Sequence, residues 1–161
     1  MRWRDDPARK TLLSLYEQAD ALVSSATCAC SVAAPVGEGE ETAPCCRFAV
    51  TGREPYPTAV ELAEVEHAMR ARGGAGRRGR RLPLASELRT CPLLSEDARC
   101  TIYASRPLGC RTFFCERGDG PPKAARQGLL ELARKISDLS ACVCPEDPRP
   151  RPFLAALKRM T

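Results

Sequence analysis

Histidine, aromatic residues and long apolar runs are scarce in this chain of 161 residues. One Trp, three Tyr and four Phe allow only a modest core, so a bound metal would supply part of the missing stability. The single histidine, His67, would have to serve any Ser-His-Asp or Cys-His arrangement, and we expect no catalytic residue. No seven consecutive apolar residues occur, which excludes a transmembrane helix, because such a helix needs about 20 mostly apolar residues.

The first residues argue against secretion. Met1–Arg4 is basic, but Asp5 and Asp6 follow it and no apolar segment comes after them. We therefore predict a cytoplasmic protein with no membrane partner. Cysteines form disulfides in secreted chains, whereas in the cytosol they bind metals or take part in catalysis. The ten cysteines of this chain accordingly favour metal binding over a disulfide framework.

Four of the ten cysteines lie close together in the middle of the chain, at Cys91, Cys100, Cys110 and Cys115. Eight, nine and four residues separate them, which is too irregular for a helical or strand repeat. A metal or a cluster would organise them, and the alternative is a loop of buried cysteines. Arg106 and Arg111 stand among them, and we predict that both face the thiolates, because four thiolates around a divalent ion leave about two negative charges to offset.

The other six cysteines form three pairs, Cys28 with Cys30, Cys45 with Cys46, and Cys142 with Cys144. In an extended chain the sulfurs of the first pair are too far apart for one tetrahedral ion, so this pair needs a turn or a larger cluster. Adjacent side chains of extended backbone point to opposite faces. The second pair therefore favours two centres, a polynuclear centre, or one ligand beside one packed thiol. Whether the third pair supplies ligands stays open.

Three segments have the periodicity of amphipathic helices, residues 7–24, the segment from a capping box at Thr58–Glu61 to Gly73, and the segment from Pro121 to Cys142. We expect the first and third helices to pack together and to bring their cysteine-bearing ends towards the central stretch. We expect His67 to be solvated on a Glu-rich side of the second helix, which leaves ligation to thiolates alone. The predicted fold is mainly α, a small irregular domain with amphipathic helices packed around a cysteine-ligated metal or iron–sulfur centre.

We predict one domain over residues 1–161, with a flexible Arg/Gly-rich loop at 70–81 and a Pro-rich C-terminal tail at 145–161 that ends in a short turn. The loop holds six Arg and no acid, and the rest of the chain has 19 basic against 20 acidic residues. Such a loop could contact phosphates, but it has no aromatic residue on which a base could stack. A solvated linker is favoured, and nucleic-acid binding is kept as an alternative.

The cysteine pattern resembles the CxxCxxCC, or YkgJ-like, cysteine-cluster family through Cys45-Cys46, Cys91-Pro92-x-Leu94, Cys100-x-Ile102-Tyr103, Arg106-Pro107 and Cys110-Arg111-x-Phe113. The matching positions cover about thirty residues, and the second half is a long compound motif. The family has cysteines three residues apart before the vicinal pair, whereas here Cys30 lies fifteen residues before Cys45. The resemblance implies chelation of zinc or of an iron–sulfur cluster, and a similar motif occurs in flagellin lysine methylases.

The spacing of the cysteines favours an iron–sulfur cluster over zinc. Structural zinc sites use Cys-x(2–4)-Cys knuckles, of which the chain offers only Cys110-x4-Cys115, whereas iron–sulfur clusters accept variable spacing. We predict a metal-chelating protein whose ligands come from Cys28, Cys30, Cys45, Cys46, Cys91, Cys100, Cys110 and Cys115, with Arg106 and Arg111 beside the centre. The alternatives are a redox or modification enzyme module that uses the cluster, and a nucleic-acid-binding regulator that uses the arginine loop. The sequence does not identify a protein partner.

Overall fold

The computed structural model describes residues 3–24, 44–73, 89–95, 99–113 and 123–160. They form helices α1 (Pro7–Leu22), α2 (Phe48–Thr51), α3 (Ala59–Ala71), α4 (Leu108–Arg111), α5 (Lys123–Val143) and α6 (Phe153–Met160), with 3-10 turns at Trp3–Asp5, Pro44–Cys46 and Tyr103–Ser105. Within these ranges β pairing is limited to two single bridges, Arg47 with Thr90 and Leu94 with Cys100. The predicted mainly helical fold is confirmed. No helix in the described part of the chain is long and apolar enough to cross a membrane.

Helix α1 begins where the sequence predicts and ends two residues earlier. The Asp6 side chain accepts a hydrogen bond from the backbone N–H of Ala8, and Pro7 occupies the first helical position. The apolar face of α1 is buried together with that of α5 and with one residue of α3, in a cluster of Leu12, Leu15, Tyr16, Ala19, Val60, Leu132 and Ile136. The first and third predicted helices therefore do pack together.

The two long helices run in opposite directions. Leu22, the last residue of α1, contacts Gly128 near the start of α5, where an added Cβ would lie 2.8 Å from the Leu22 Cδ1 atom. The later residues Leu132 and Ile136 of α5 lie along the earlier part of α1. The C-terminal ends of α1 and α5 are thus at opposite ends of the pair, and the approach of both cysteine-bearing ends to the central stretch stays a prediction. Cys28 and Cys30 lie outside the described residues.

A second core cluster joins the central stretch to α3 and α6. Its buried members are Phe48, Leu62, Val65, Met69, Cys91, Leu93, Ile102, Phe153, Ala156 and Leu157. The segment before α6 is held in place because the backbone N–H groups of Arg151 and Phe153 donate to the carbonyl oxygens of Pro57 and Pro55, each at 3.1 Å. Residues 145–160, predicted as a tail with a short turn, therefore end in a helix that is part of the core. Residues 74–81 of the predicted arginine loop lie outside the described part.

Helix α3 has two polar residues inside the protein. The capping box is present, since the Glu61 carboxylate accepts from the Thr58 backbone N–H at 2.8 Å. Glu61 and Glu64 are only 3% and 0% exposed, whereas His67 is half-buried. The prediction that the Glu-rich side of this helix is solvated is wrong, because α3 is covered on two sides, by α1 and by the second core cluster. The glutamates face α1 and the segment that leads into α4.

Candidate metal centre

Five of the described cysteines gather at one place, which we call the thiol cluster, Cys45, Cys46, Cys91, Cys100 and Cys110. Cys91 is buried in the second core cluster, and Cys46, Cys100 and Cys110 pack against that cluster. The thiols also act on one another electrostatically, Cys46 with Cys45, Cys91 and Cys100, and Cys110 with Cys45, Cys46 and Cys100. The predicted ligands Cys28, Cys30 and Cys115 lie outside the described residues. The structure thus brings together five of the eight predicted ligands.

The vicinal pair is not extended. Cys45 and Cys46 form the 3-10 turn Pro44–Cys46, and their Sγ atoms are 4.0 Å apart. The expectation that the two side chains point to opposite faces is wrong here, because successive residues of a 3-10 turn are about 120° apart around its axis and not about 180° as in a strand. Two thiolates on one tetrahedral zinc ion, each about 2.3 Å from the metal, would be about 3.8 Å apart. The pair is therefore spaced as two ligands of one metal atom would be.

Backbone hydrogen bonds hold the segments of the thiol cluster together. The carbonyl oxygen of Cys46 accepts from the Cys91 N–H at 2.7 Å, and the N–H of Phe48 donates to the carbonyl oxygen of Arg89 at 2.8 Å. The Thr101 N–H donates to the Leu93 carbonyl oxygen and the Ser95 N–H donates to the Arg99 carbonyl oxygen, each at 2.8 Å, so the residues around Cys100 lie against the residues that follow Cys91. These contacts join positions up to 45 residues apart in the chain, so the local sequence does not predict them.

Glu61 fixes the helix that carries Cys110. Its Oε1 atom accepts from the backbone N–H of Leu108 at 2.7 Å and from the Tyr16 hydroxyl at 3.3 Å. Leu108 is the first residue of α4, where the N–H has no partner within the helix. The same carboxylate therefore caps two helices, α3 through its Oε2 atom and α4 through its Oε1 atom. The capping box can be recognised in the sequence, whereas no local pattern marks the contact with Leu108, which is 47 positions away.

Glu64 anchors the segment that precedes α4. Its carboxylate accepts from Trp3 Nε1 at 2.9 Å, from Arg9 Nε at 2.7 Å and from Ser105 Oγ at 2.9 Å. Burial by itself would raise the pKa of Glu64, but the hydrogen bonds from Arg9, Ser105 and Trp3 outweigh it and lower this pKa below its ordinary value. The buried carboxylate is thus charged and fully hydrogen-bonded. It joins the N-terminal turn, α1, α3 and the central stretch.

Arg106 lies beside the thiols with one donor unused. Its guanidinium stacks on the Tyr103 ring, 3.7 Å from the ring centre. Its positive charge lowers the pKa values of Cys45, Cys100 and Cys110, against larger opposing effects. The Nε atom is buried and has no hydrogen-bond partner in the described structure. A buried N–H without an acceptor is costly, and a thiolate or a cluster sulfide would supply one.

Arg111 does not face the thiols, so its predicted position beside the centre is corrected. The residue is 7% exposed, and its guanidinium stacks over the ring of Tyr16 in α1. Each of its nitrogens has an oxygen acceptor, on the Arg106 carbonyl at 2.8 Å, on the Asp20 carboxylate at 2.5 Å and on the Ala104 carbonyl. These partners on α1 and on the preceding turn hold the side chain there. Arg111 therefore fastens α4 to α1.

Leucine substitutions should separate the roles of the two arginines. Arg111→Leu removes three hydrogen bonds and should lower the unfolding free energy of the metal-free protein by about 2–3 kcal/mol. Arg106→Leu removes a buried donor that has no partner, so the metal-free protein should keep its stability, whereas metal affinity should fall about ten- to a hundredfold. Urea unfolding and chelator competition would measure the two effects. Equal metal affinity of Arg106→Leu and the wild type would remove Arg106 from the centre.

Raised pKa values keep four thiols protonated at neutral pH, those of Cys45, Cys46, Cys100 and Cys110. Burial raises the pKa of Cys100, and burial together with the neighbouring thiols raises that of Cys110. The hydrogen bond to Cys46 and burial raise the pKa of Cys45. The hydrogen bond with Cys45 lowers the pKa of Cys46, but the hydrogen bond with Cys91, burial and the nearby thiols outweigh it and raise this pKa to about 12. Metal binding at neutral pH must therefore displace protons.

These raised pKa values predict that the metal-free protein loses stability in alkali. Above the ordinary thiol pKa of about 8.5, the unfolded chain loses protons that the folded protein keeps. Rising pH therefore favours the unfolded chain, whereas below pH 8.5 the thiols are protonated in both states and the stability is retained. Under reducing conditions the unfolding free energy should fall above pH 8.5 by about 1.4 kcal/mol per pH unit for each thiol that ionises only in the unfolded chain. Urea unfolding between pH 7 and 10 would measure the slope. Cys110→Ser should reduce it, and an equal slope in that variant would contradict the assignment.

The donor set fits a soft metal, but the ligands are not arranged in advance. Among the described residues, no three His, Cys, Asp or Glu side chains already form a group that could hold a metal ion. Thiolates are the ligands that zinc and iron–sulfur centres use. Beyond the closely spaced vicinal pair, ligation therefore requires thiols of the cluster to rotate inward or cysteines from outside the described ranges to join.

Cys142 is exposed and Cys144 is half-buried at the end of α5, and neither is part of the thiol cluster.

Comparison with known families agrees with this donor set. The family model CxxCxxCC, described as "Putative zinc- or iron-chelating domain", matches residues 40–129, more than half of the chain. The matched range contains the whole thiol cluster and Cys115, and it leaves out Cys28, Cys30, Cys142 and Cys144. No curated protein and no solved structure gives a significant match to the chain. On the extent of the family match, the chain belongs to the CxxCxxCC family of zinc- or iron-chelating domains.

Proposed function

We propose that the protein binds one metal centre through the thiol cluster, and that Cys45 and Cys46 are ligands of the same metal atom. The observation that supports this is the 4.0 Å separation of their Sγ atoms in the 3-10 turn. Cys91, Cys100 and Cys110 are the candidates for the other ligands, because their thiols interact with this pair or with each other. Cys115 is a further candidate inside the matched family range.

The spacing of the vicinal pair narrows the choice of centre. Two thiolates share one metal atom on a zinc ion, on a single iron, or on one iron of a two-iron cluster. In a four-iron cluster with four cysteines, each thiolate binds a different iron, which would force the pair apart. We favour a two-iron cluster, because iron–sulfur clusters accept the variable spacing of these cysteines, and a cluster sulfide or a thiolate would give the unused Nε donor of Arg106 an acceptor. Such a cluster would supply one-electron transfer when bound.

Anaerobic purification with elemental analysis and an absorption spectrum tests this proposal. About two irons per chain with visible absorption would support the two-iron centre, and one zinc with no visible absorption would support the alternative. Four irons per chain would contradict the shared metal atom. Absence of any stoichiometric metal after reconstitution with iron and sulfide, or with zinc, would contradict chelation itself.

An enzyme module is the second candidate, because an open cavity borders two thiols of the cluster. A closed coordination shell is typical of structural sites, whereas catalytic metal sites keep an open position. Nucleic-acid binding through residues 70–81 stays a prediction, since most of that segment lies outside the described residues. Salt-dependent binding that is lost when the loop is deleted would support it.

A further inference from the structure

A cavity of about 450 Å³ lies beside the thiol cluster. Cys45 and Cys110 line it together with the segment that follows α2, which includes Arg53 and Tyr56. The Tyr56 side chain is 60% exposed and Arg53 is also exposed, so solvent reaches the cavity from that side. Cavities of about 300–1,000 Å³ are the usual size of small-molecule sites. Two of the proposed metal ligands are thus in the wall of a space that a small molecule could enter.

The close approach of α4 places Cys110 in this wall. A Cβ atom on Gly109 would lie 3.2 Å from the Cβ of Pro55, which leaves little room for any larger residue there. Glycine therefore lets α4 lie directly against the segment that carries Arg53 and Tyr56. Cys110, the next residue, then reaches the cavity.

The charged residues of the cavity favour an anion. Arg53 and Arg89 line it together with a single acid, Glu54. The Glu54 Oε1 atom already accepts from the Leu154 N–H at the start of α6, at 2.7 Å. Its Oε2 atom is 3.9 Å from Arg89 Nη2, which is a long ion pair, and the Arg89 side chain is 53% exposed. A guanidinium held this loosely can turn to a ligand, and two guanidinium groups suit carboxylate or phosphate oxygens.

We propose that this cavity binds a small molecule that carries a carboxylate or phosphate group, with the anionic group at Arg53 and Arg89 and the rest of the molecule next to the metal at Cys45 and Cys110. The second half of this statement rests on the proposed metal centre, whereas the anion site rests on the arginines alone. Arg106, which does not line the cavity, helps to offset the thiolate charge that would otherwise repel the anion.

Titration of the full chain with acetate and with phosphate tests the anion site, both with and without metal. Backbone amide shifts in two-dimensional NMR at residues 52–54, 56 and 89 report binding at this cavity. The double variant Arg53→Gln, Arg89→Gln should bind the preferred anion at least about tenfold more weakly. The control double variant Arg126→Gln, Arg134→Gln removes the same charge from the exposed surface of α5 and should stay within about twofold of the wild type.

The anion that saturates these shifts at the lower concentration identifies the group that the site takes. Equal weakening in both double variants would show a general charge effect and would overturn the proposal, as would the absence of shifts at residues 52–54 and 56. If no metal binds but the arginine-dependent shifts persist in the metal-free protein, the metal proposal fails and the anion site stands.

A second measurement tests the contact with the metal. In protein loaded with cobalt(II), addition of 3-mercaptopropionate should change the thiolate-to-metal absorption bands. The Arg53→Gln, Arg89→Gln variant should need a concentration of 3-mercaptopropionate at least about tenfold higher than the wild type for the same change. Neutral 2-mercaptoethanol should act equally on both proteins. An unchanged spectrum at saturating 3-mercaptopropionate would remove the metal contact from the proposal.

Discussion

Cys110→Ser or Cys100→Ser is expected to weaken metal binding at least about 100-fold. Each thiolate contributes a large share of the total binding free energy of a four-thiolate site, and the hydroxyl that replaces it is a far harder ligand. Both residues belong to the thiol cluster and to the matched family range. The two substitutions also remove thiols from half-buried positions, and serine is close to cysteine in size, so the fold should be kept. Chelator competition under anaerobic, reducing conditions would measure the change in affinity.

Cys142→Ser is the matched control for these variants. Cys142 is exposed in the last turn of α5 and lies outside the matched family range. This variant should therefore keep the metal content and the affinity of the wild type. If Cys100→Ser and Cys110→Ser both keep them as well, neither residue is a ligand, and the centre must be built from other cysteines.

Glu64→Gln is expected to lower the unfolding free energy by about 2 kcal/mol, because the buried carboxylate loses charge-assisted hydrogen bonds, among them the ion pair with the partly exposed Arg9. The carboxylate accepts hydrogen bonds from three side chains that belong to different parts of the chain, Trp3, Arg9 and Ser105. A glutamine amide keeps the shape but has only one oxygen to receive these donors, and its NH₂ group would face one of them. Urea unfolding at pH 7 would measure the loss.

The pH dependence of the same variant gives a second test. Because the folded protein lowers the pKa of Glu64, this carboxylate stabilises the fold above the ordinary value of about 4.3, and the stabilisation is lost as the pH falls below it. Glu64→Gln should therefore be less sensitive to acid than the wild type. Glu66→Gln is the control, since Glu66 pairs with Arg70 on the surface of the same helix, and it should change stability by only a few tenths of a kcal/mol. Similar losses in both variants would contradict the role given to Glu64.

The local features of this protein could be predicted from the sequence. Asp6 with Pro7, and Thr58 with Glu61, mark the starts of α1 and α3 through contacts between residues at most three positions apart. The apolar periodicity of α1 and α5 predicts their buried faces, and the cysteine motif predicts the family. The partial burial of α6 was missed, because its eight residues are too few for a clear periodic signal.

The roles of the charged residues could not be predicted in the same way. The negative charge of a thiolate centre predicts Arg111 beside the thiolates, yet its acid partner is Asp20, 91 positions away. The helical periodicity puts Glu64 on the same Glu-rich side of α3 as His67, opposite the apolar face, yet Glu64 is buried and pairs with Arg9, 55 positions away. The charge of a residue and its position in a helix do not reveal which distant element will cover it.

The sequence by itself determined the three longest helices, the N-terminal caps of α1 and α3, the thiolate donor set and the family, since each depends on residues that are near one another in the chain or on a motif read directly. Only the tertiary structure decided that α1 and α5 are antiparallel, that five cysteines meet at one place, and that the vicinal pair lies in a turn with its Sγ atoms 4.0 Å apart. It also decided that Arg106, and not Arg111, has an unused donor beside the thiols. The physical reason is that these arrangements depend on packing between segments distant in sequence, whose contacts form only when the whole core is assembled.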